Sequence, residues 1–158
     1  MIRTLLTVCA LIAVGALTAP HPILAMSMDK PAASNTDTAQ DYAMAKKASD
    51  AGDYEKAVMF ANKVVAADPK HADAYNLLGY ASRKMGQLAK AAAYYKQALA
   101  INPEHQGALE YQGELFIMMG SLDAAESNLA KLIKLCPSGC DARSELESAL
   151  AKARAKSS

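Results

Sequence analysis

The sequence predicts an all-α protein, an α-solenoid of about three helix-turn-helix units finished by a C-terminal capping helix. Two series of residues share one step: Pro69, Pro103 and Pro137, and Gly52, Gly86 and Gly120, are each spaced by 34 residues. With only 6 Pro and 8 Gly in 158 residues, two coincident series mark an internal repeat, and a period of this size marks a helical array. Composition agrees: the chain is 52% hydrophobic with much of that alanine, has no Trp, and is only 6% aromatic. Such a chain suits helices packed closely through small side chains better than a sheet of β-branched residues. Its length bounds it to one modest domain with a real core.

Charge excludes some partners. The formal net charge is +1, and Arg3 is the only charged residue before Asp29, so without the leader 16 basic side chains face 16 acidic ones. That balance gives no electrostatic basis for binding nucleic acid or an anionic membrane surface. Membrane contact is expected only through an uncleaved N-terminal segment. The oligomeric state is left open.

Residues 1–25 read as an export signal, with Arg3 as the positive start and an apolar run from Leu5 to Leu17 broken only by Thr7, Cys9 and Gly15. The run is shorter than the roughly 20 residues a membrane helix needs. Ala25 and Ser27 are small enough for a peptidase, which places cleavage near residues 25–27 and the mature chain in the periplasm or outside the cell. The alternative is an inner-membrane anchor formed by the same segment. Cys9 sits inside the apolar run instead of closing it, which argues against a lipid-modified cysteine. Residues 26–36 are small and polar and read as a flexible linker, in which Met26 and Met28 are too few for a soft-metal site.

The periodic region spans residues 37–139, in units 38–71, 72–105 and 106–139. Small residues recur at Ala45, Gly79 and Gly113 and again at Ala57, Ala91 and Ala125. Larger apolar ones recur at Tyr54, Leu88 and Leu122, while Val64, Ala98 and Leu132 share a further column. Each unit then holds two helices: the first closes on the glycine, which supplies a left-handed residue, and the second stops ahead of the proline. Asp53 and Ser121 are expected to cap second helices.

These residues resemble the tetratricopeptide repeat family. In the central unit the resemblance rests on Leu78, Gly79, Gly86, Leu88, Ala91, Tyr95, Ala98 and Pro103. Before it stand Ala51 to Tyr54, Ala57 and Pro69, and after it Gly113, Gly120, Ala125 and Pro137. The aromatic that the family often places early in the first helix is Tyr75 in the middle unit but Asp41 and Leu109 in the outer ones. The resemblance implies seven helices coiled into a right-handed stub with a concave and a convex side.

It also implies which side chains face a partner. The concave positions are Tyr42, Lys46 and Ser49, then Asp73, Asn76, Tyr80, Arg83 and Lys84, then Glu110, Glu114, Ile117 and Met118. That face would run from aromatic and basic to acidic and apolar. Some family members hold chaperone tails through a two-carboxylate clamp of Lys, Asn and Arg, and Glu110 and Glu114 disfavour that ligand here.

Residues 140–158 have helical propensity, with Leu146, Ala149 and Leu150 on one side, and suit a capping helix. Cys136 and Cys140 flank the preceding turn, and in an exported protein they are expected to form a disulfide if their Cα atoms lie within roughly 4.4 to 6.8 Å. The spacing is not that of a redox-active C-x-x-C. His71 and His105 occupy equivalent places, but one His per unit, with Gly139 in the third, does not assemble the three or four ligands of a zinc site, so each is expected to be a helix-start or surface His. No nucleophile elbow, phosphate loop or paired catalytic carboxylates occur. The expectation is a non-enzymatic interaction module without cofactor or metal, holding a protein or peptide segment. The alternatives are a thiol-disulfide accessory protein using Cys136 and Cys140, or a structural oligomerisation subunit.

Overall fold

The computed structural model describes residues 35–157, which form seven helices: α1 (Asn35–Asp50), α2 (Tyr54–Ala67), α3 (Ala72–Lys84), α4 (Leu88–Ile101), α5 (Gln106–Met118), α6 (Leu122–Leu135) and α7 (Asp141–Ser157). Among the described residues there is no strand and no helix long and apolar enough to cross a membrane. The export signal, its cleavage site and most of the linker lie outside the described residues. Asn35 and Thr36, placed in the linker by composition, are already helical, with Asp37 in the first turn where a negative charge complements the helix dipole.

The chain turns inside each unit in the same way. Gly52, Gly86 and Gly120 have φ of 77°, 74° and 76°, the left-handed region that side chains disfavour. At the first of these turns Asp53 N–H donates to the Ala48 carbonyl at 2.9 Å and Gly52 N–H to Ser49 at 3.0 Å. This paired closure satisfies carbonyls the helix end leaves without a partner. The same two bonds recur at Gly86 and at Gly120. Between units, the residues ahead of the prolines, Asp68, Asn102 and Cys136, have φ of −128°, −131° and −133°, because the proline ring excludes the helical conformation before it.

Caps differ more than turns. Asp53 accepts from Lys56 N–H at 3.1 Å, as expected, but Ser121, against expectation, makes no side-chain capping bond. His71 and His105 prove to be the caps of α3 and α5: each Nδ1 accepts a backbone N–H, from Ala74 at 3.2 Å and from Ala108 at 3.1 Å. Their recurrence at equivalent positions is therefore explained by helix initiation.

Successive helices pack as antiparallel pairs, α1 with α2, α3 with α4, α5 with α6, and α7 lies against α5 and α6. Small side chains make the seams, with Ala45, Ala57, Ala61, Ala74, Ala91, Ala98, Ala108 and Ala125 fully buried. Two glycines mark the closest approaches. A Cβ on Gly79 would lie 2.5 Å from the Tyr95 ring, and one on Gly113 would lie 2.6 Å from the Leu146 methyls. α7 contributes Ala142, Leu146 and Leu150 to the cluster around Leu109, Ala125 and Leu132, so it seals the last hairpin. At the turn leading into it, Cys136 and Cys140 have Cα atoms 6.0 Å apart, within the span a disulfide bridges.

Candidate partner-binding groove

The first helix of each unit contributes to one face, and on it lies a recess of about 640 Å³. Tyr42, Lys46, Ser49 and Asp50 enter it from α1, Tyr54 from the start of α2, Asp73, Asn76, Leu77 and Tyr80 from α3, and Tyr111 from α5. The 34-residue step explains the convergence, because Tyr42, Asn76 and Glu110 are equivalent positions, as are Lys46, Tyr80 and Glu114. Stacked units carry equivalent positions into one row.

Aromatic rings line the wall. Tyr54 meets Tyr80 edge-on with centroids 6.2 Å apart, Tyr80 lies 5.1 Å from Tyr111, and Tyr111 lies 6.5 Å from the buried Tyr95. Tyr42 packs on the His71 ring at 4.8 Å. Burial pushes the Tyr42 hydroxyl above its usual pKa, with the Asp73 carboxylate adding to the effect. Tyr111 is raised by burial first and then by Glu110.

Arg83 stands in the middle of this wall. Its guanidinium is 5.7 Å from the centroids of both Tyr80 and Tyr111, within reach of their ring faces, and it pairs with Glu114 at 2.6 Å. Its side chain is only 11% exposed. Lys84 remains exposed, with Nζ 5.9 Å from the Tyr80 ring. Lys46 pairs with Asp50 at 3.4 Å in the open, and Asp73 approaches His105 Nε2 at 2.9 Å. Asn76 Oδ1 is buried with no hydrogen-bond partner among the described residues.

Glu110 is the least compensated charge on this face. Burial raises its pKa to about 7, and Glu114, then Glu145, and Asp141 push it the same way against the opposing effect of Arg83. The two α7 carboxylates thus extend the acidic end beyond α5.

The structure brings Tyr42, Lys46, Asn76 and Tyr80 into the recess, sets Arg83, Lys84, Glu110 and Glu114 along its continuation, and leaves Met118 55% exposed at the end of α5. Ile117 is placed apart from them. It packs on the cluster sealed by α7 and borders a separate recess of about 510 Å³ with Leu122, Ala149 and Lys152. Sequence reasoning missed Tyr54, Leu77 and Tyr111. Tyr54 belongs to a column filled by Leu88 and Leu122 and reads as packing; Tyr111 is equivalent to the buried Leu77, and only its hydroxyl, which core leucine lacks, hinted at a second role. Among the described residues no group of three His, Cys, Asp or Glu side chains is placed to hold a metal.

Solved structures share this fold. The chain is similar to the first TPR of Spaghetti (RPAP3) bound to the HSP90 peptide SRMEEVD, at 20% identity over 79% of this chain and 98% of that one, with a TM-score of 0.68. It is similar to the Yersinia enterocolitica type III secretion chaperone SycD in complex with a peptide of the translocator YopD, at 22% identity over 79% and 98%, TM-score 0.69. The TPR2B domain of yeast Sti1 in complex with an Hsp70 peptide aligns at 18% identity over 77% and 98%, TM-score 0.70. No curated protein matches the chain in sequence. Residues 72–105, the unit whose prolines, glycines and small columns set the pattern for its neighbours, match the tetratricopeptide repeat family, and the solved structures show the same helical-repeat fold across the described helices.

Proposed function

We propose that this protein is an exported interaction module that holds a segment of a protein partner against the face formed by α1, α3 and α5, without chemistry of its own. The observation that carries the reading is the recess of about 640 Å³ walled by tyrosines from four different helical segments. Tyrosine offers large, stiff contact area with one polar tip, the combination that anchors interfaces. The buried, unpartnered Asn76 Oδ1 supports a segment that brings its own donor, such as a backbone N–H. The solved relatives named above were determined with peptides, which agrees with this use of the fold.

In this reading the leader is removed on export, and Cys136 and Cys140 oxidise to a bridge that pins α7 to the last hairpin. Cross-linked partners recovered from the envelope fraction, compared between the native chain and Tyr80→Ala with Tyr111→Ala, test the groove. Loss of the main partner in the double variant, while circular dichroism and a cooperative melt show it still folded at the assay temperature, is expected; an unchanged set of partners would remove the groove from the account. Thiol alkylation of the exported chain with and without reductant tests the bridge.

A further inference from the structure

Accepting the groove as the binding face, its charges indicate what it binds. Arg83 is already spent: it pairs with Glu114 at 2.6 Å and is flanked by two tyrosine rings. Lys46 has Asp50 beside it, and Lys84 alone stays uncompensated at the basic end. Glu114 is spent on Arg83 in turn, and Asp73 lies against His105, which leaves Glu110 on α5 and Asp141 and Glu145 on α7 as the opposing carboxylates. The wall between the recess and the carboxylates is continuous, because Tyr111 touches Tyr80 on one side and feels Glu110 and Glu114 on the other.

The groove therefore offers a cation two complementary environments at once, ring faces and carboxylates. Arg83 demonstrates that the geometry accommodates a guanidinium: ring centroids at 5.7 Å twice and a carboxylate at hydrogen-bond distance. Glu110, half-buried and without an ion pair among the described residues, is the carboxylate left over for a second cation.

We propose that the face selects a protein segment carrying Lys or Arg, whose cation pairs with Glu110 at the acidic end of the groove. The segment's remaining length occupies the recess around Tyr42, Asn76 and Tyr80. An acidic tail is rejected by the same carboxylates, since like charges meeting at an interface are strongly disfavoured.

The groups facing Glu110 are Arg83 from α3, Tyr111 and Glu114 from α5, and Asp141 and Glu145 from α7. Glu114, Glu145 and Asp141 favour its protonated form and Arg83 opposes them, whereas a bound cation favours the ionised one. Affinity for a basic segment should consequently rise with pH as Glu110 loses its proton around 7 and level off above that.

The test is selection from a randomised peptide library on the full chain, followed by anisotropy titrations of an enriched peptide and of versions in which Gln or Glu replaces its Lys and Arg. Enrichment of Lys and Arg is expected, with the Gln version at least about tenfold weaker and the Glu version weaker still, the gaps narrowing in high salt. Glu110→Gln should lower affinity for the basic peptide several-fold and flatten its rise between about pH 6 and about pH 8. Enriched peptides that are acidic or neutral, yet lose binding in Tyr80→Ala with Tyr111→Ala, would overturn the cationic selectivity and leave the groove in place. Basic peptides indifferent to that double variant, or no enrichment at all, would overturn both.

Discussion

The middle and the last hairpin have the same backbone and fill it differently. In α3 and α4 the seam is closed from within, by the Tyr95 ring lying over Gly79. One unit later the equivalent of Tyr95 is Leu129, which is only partly buried, and the space over Gly113 is taken by Leu146 from α7. A second exchange accompanies the first: Leu78 and Tyr94 become Gln112 and Asn128, and Asn128 Nδ2 donates to Gln112 Oε1 and to the Leu109 carbonyl, both at 3.0 Å. The middle hairpin thus supplies its own large side chain, whereas the last one is completed by the element that follows. This difference makes α7 part of the core and places its carboxylates next to Glu110.

Large-to-small substitutions break the comparison most directly. Tyr95→Ala should cost about 3–5 kcal/mol by emptying the seam of the middle hairpin, and Leu146→Ala about 2–5 kcal/mol by uncapping the last one, both read by urea denaturation. Amide exchange should separate them: Leu146→Ala loosens α5, α6 and α7 and spares α1 and α2, because its contacts lie in the last cluster only. Equal loosening throughout would mean that the two seams are one cooperative unit.

Adding a methyl sharpens the contrast. Gly79→Ala pushes a Cβ to 2.5 Å from a ring that cannot flex, so overpacking of about 1–3 kcal/mol should outweigh the ~1 kcal/mol helix-propensity gain. Gly113→Ala meets the ends of a leucine side chain, which can change rotamer, and should fall within about 1 kcal/mol of neutral. The reverse order in thermal melts would show that α7 is held more rigidly than α4.

The smallest expected effect concerns helix starts. Asp53→Ala removes a capping bond and should cost about 1 kcal/mol, while Ser121→Ala removes none and should change stability by less than about half of that. Comparable losses would show that Ser121 caps in solution.

The repeat was legible because its signals are local. A glycine forced to positive φ and a residue held extended by the next proline report their conformation without reference to distant parts of the chain, and three copies at one spacing leave little freedom for the helices between them. The sequence placed His71 and His105 at a helix start or on the surface without choosing between the two, because histidine is not among the favoured capping residues and the hydrogen bond appears only once the helix start is built. Tyr111 escaped for another reason: its column is a core column in the preceding unit, and only the angle between α3 and α5 turns its ring toward Tyr80.

What the amino-acid order determined alone is the two-helix layout of each unit, the sharpness of the turn inside it and the stacking of equivalent positions into rows, since these follow from dihedral preferences and periodicity. The tertiary structure alone decided which charges cancel and which remain. Arg83 meets Glu114 across 31 residues of chain, and α7 delivers Glu145 to Glu110, because electrostatic energy depends on distance through space and on burial, neither of which a one-dimensional spacing contains.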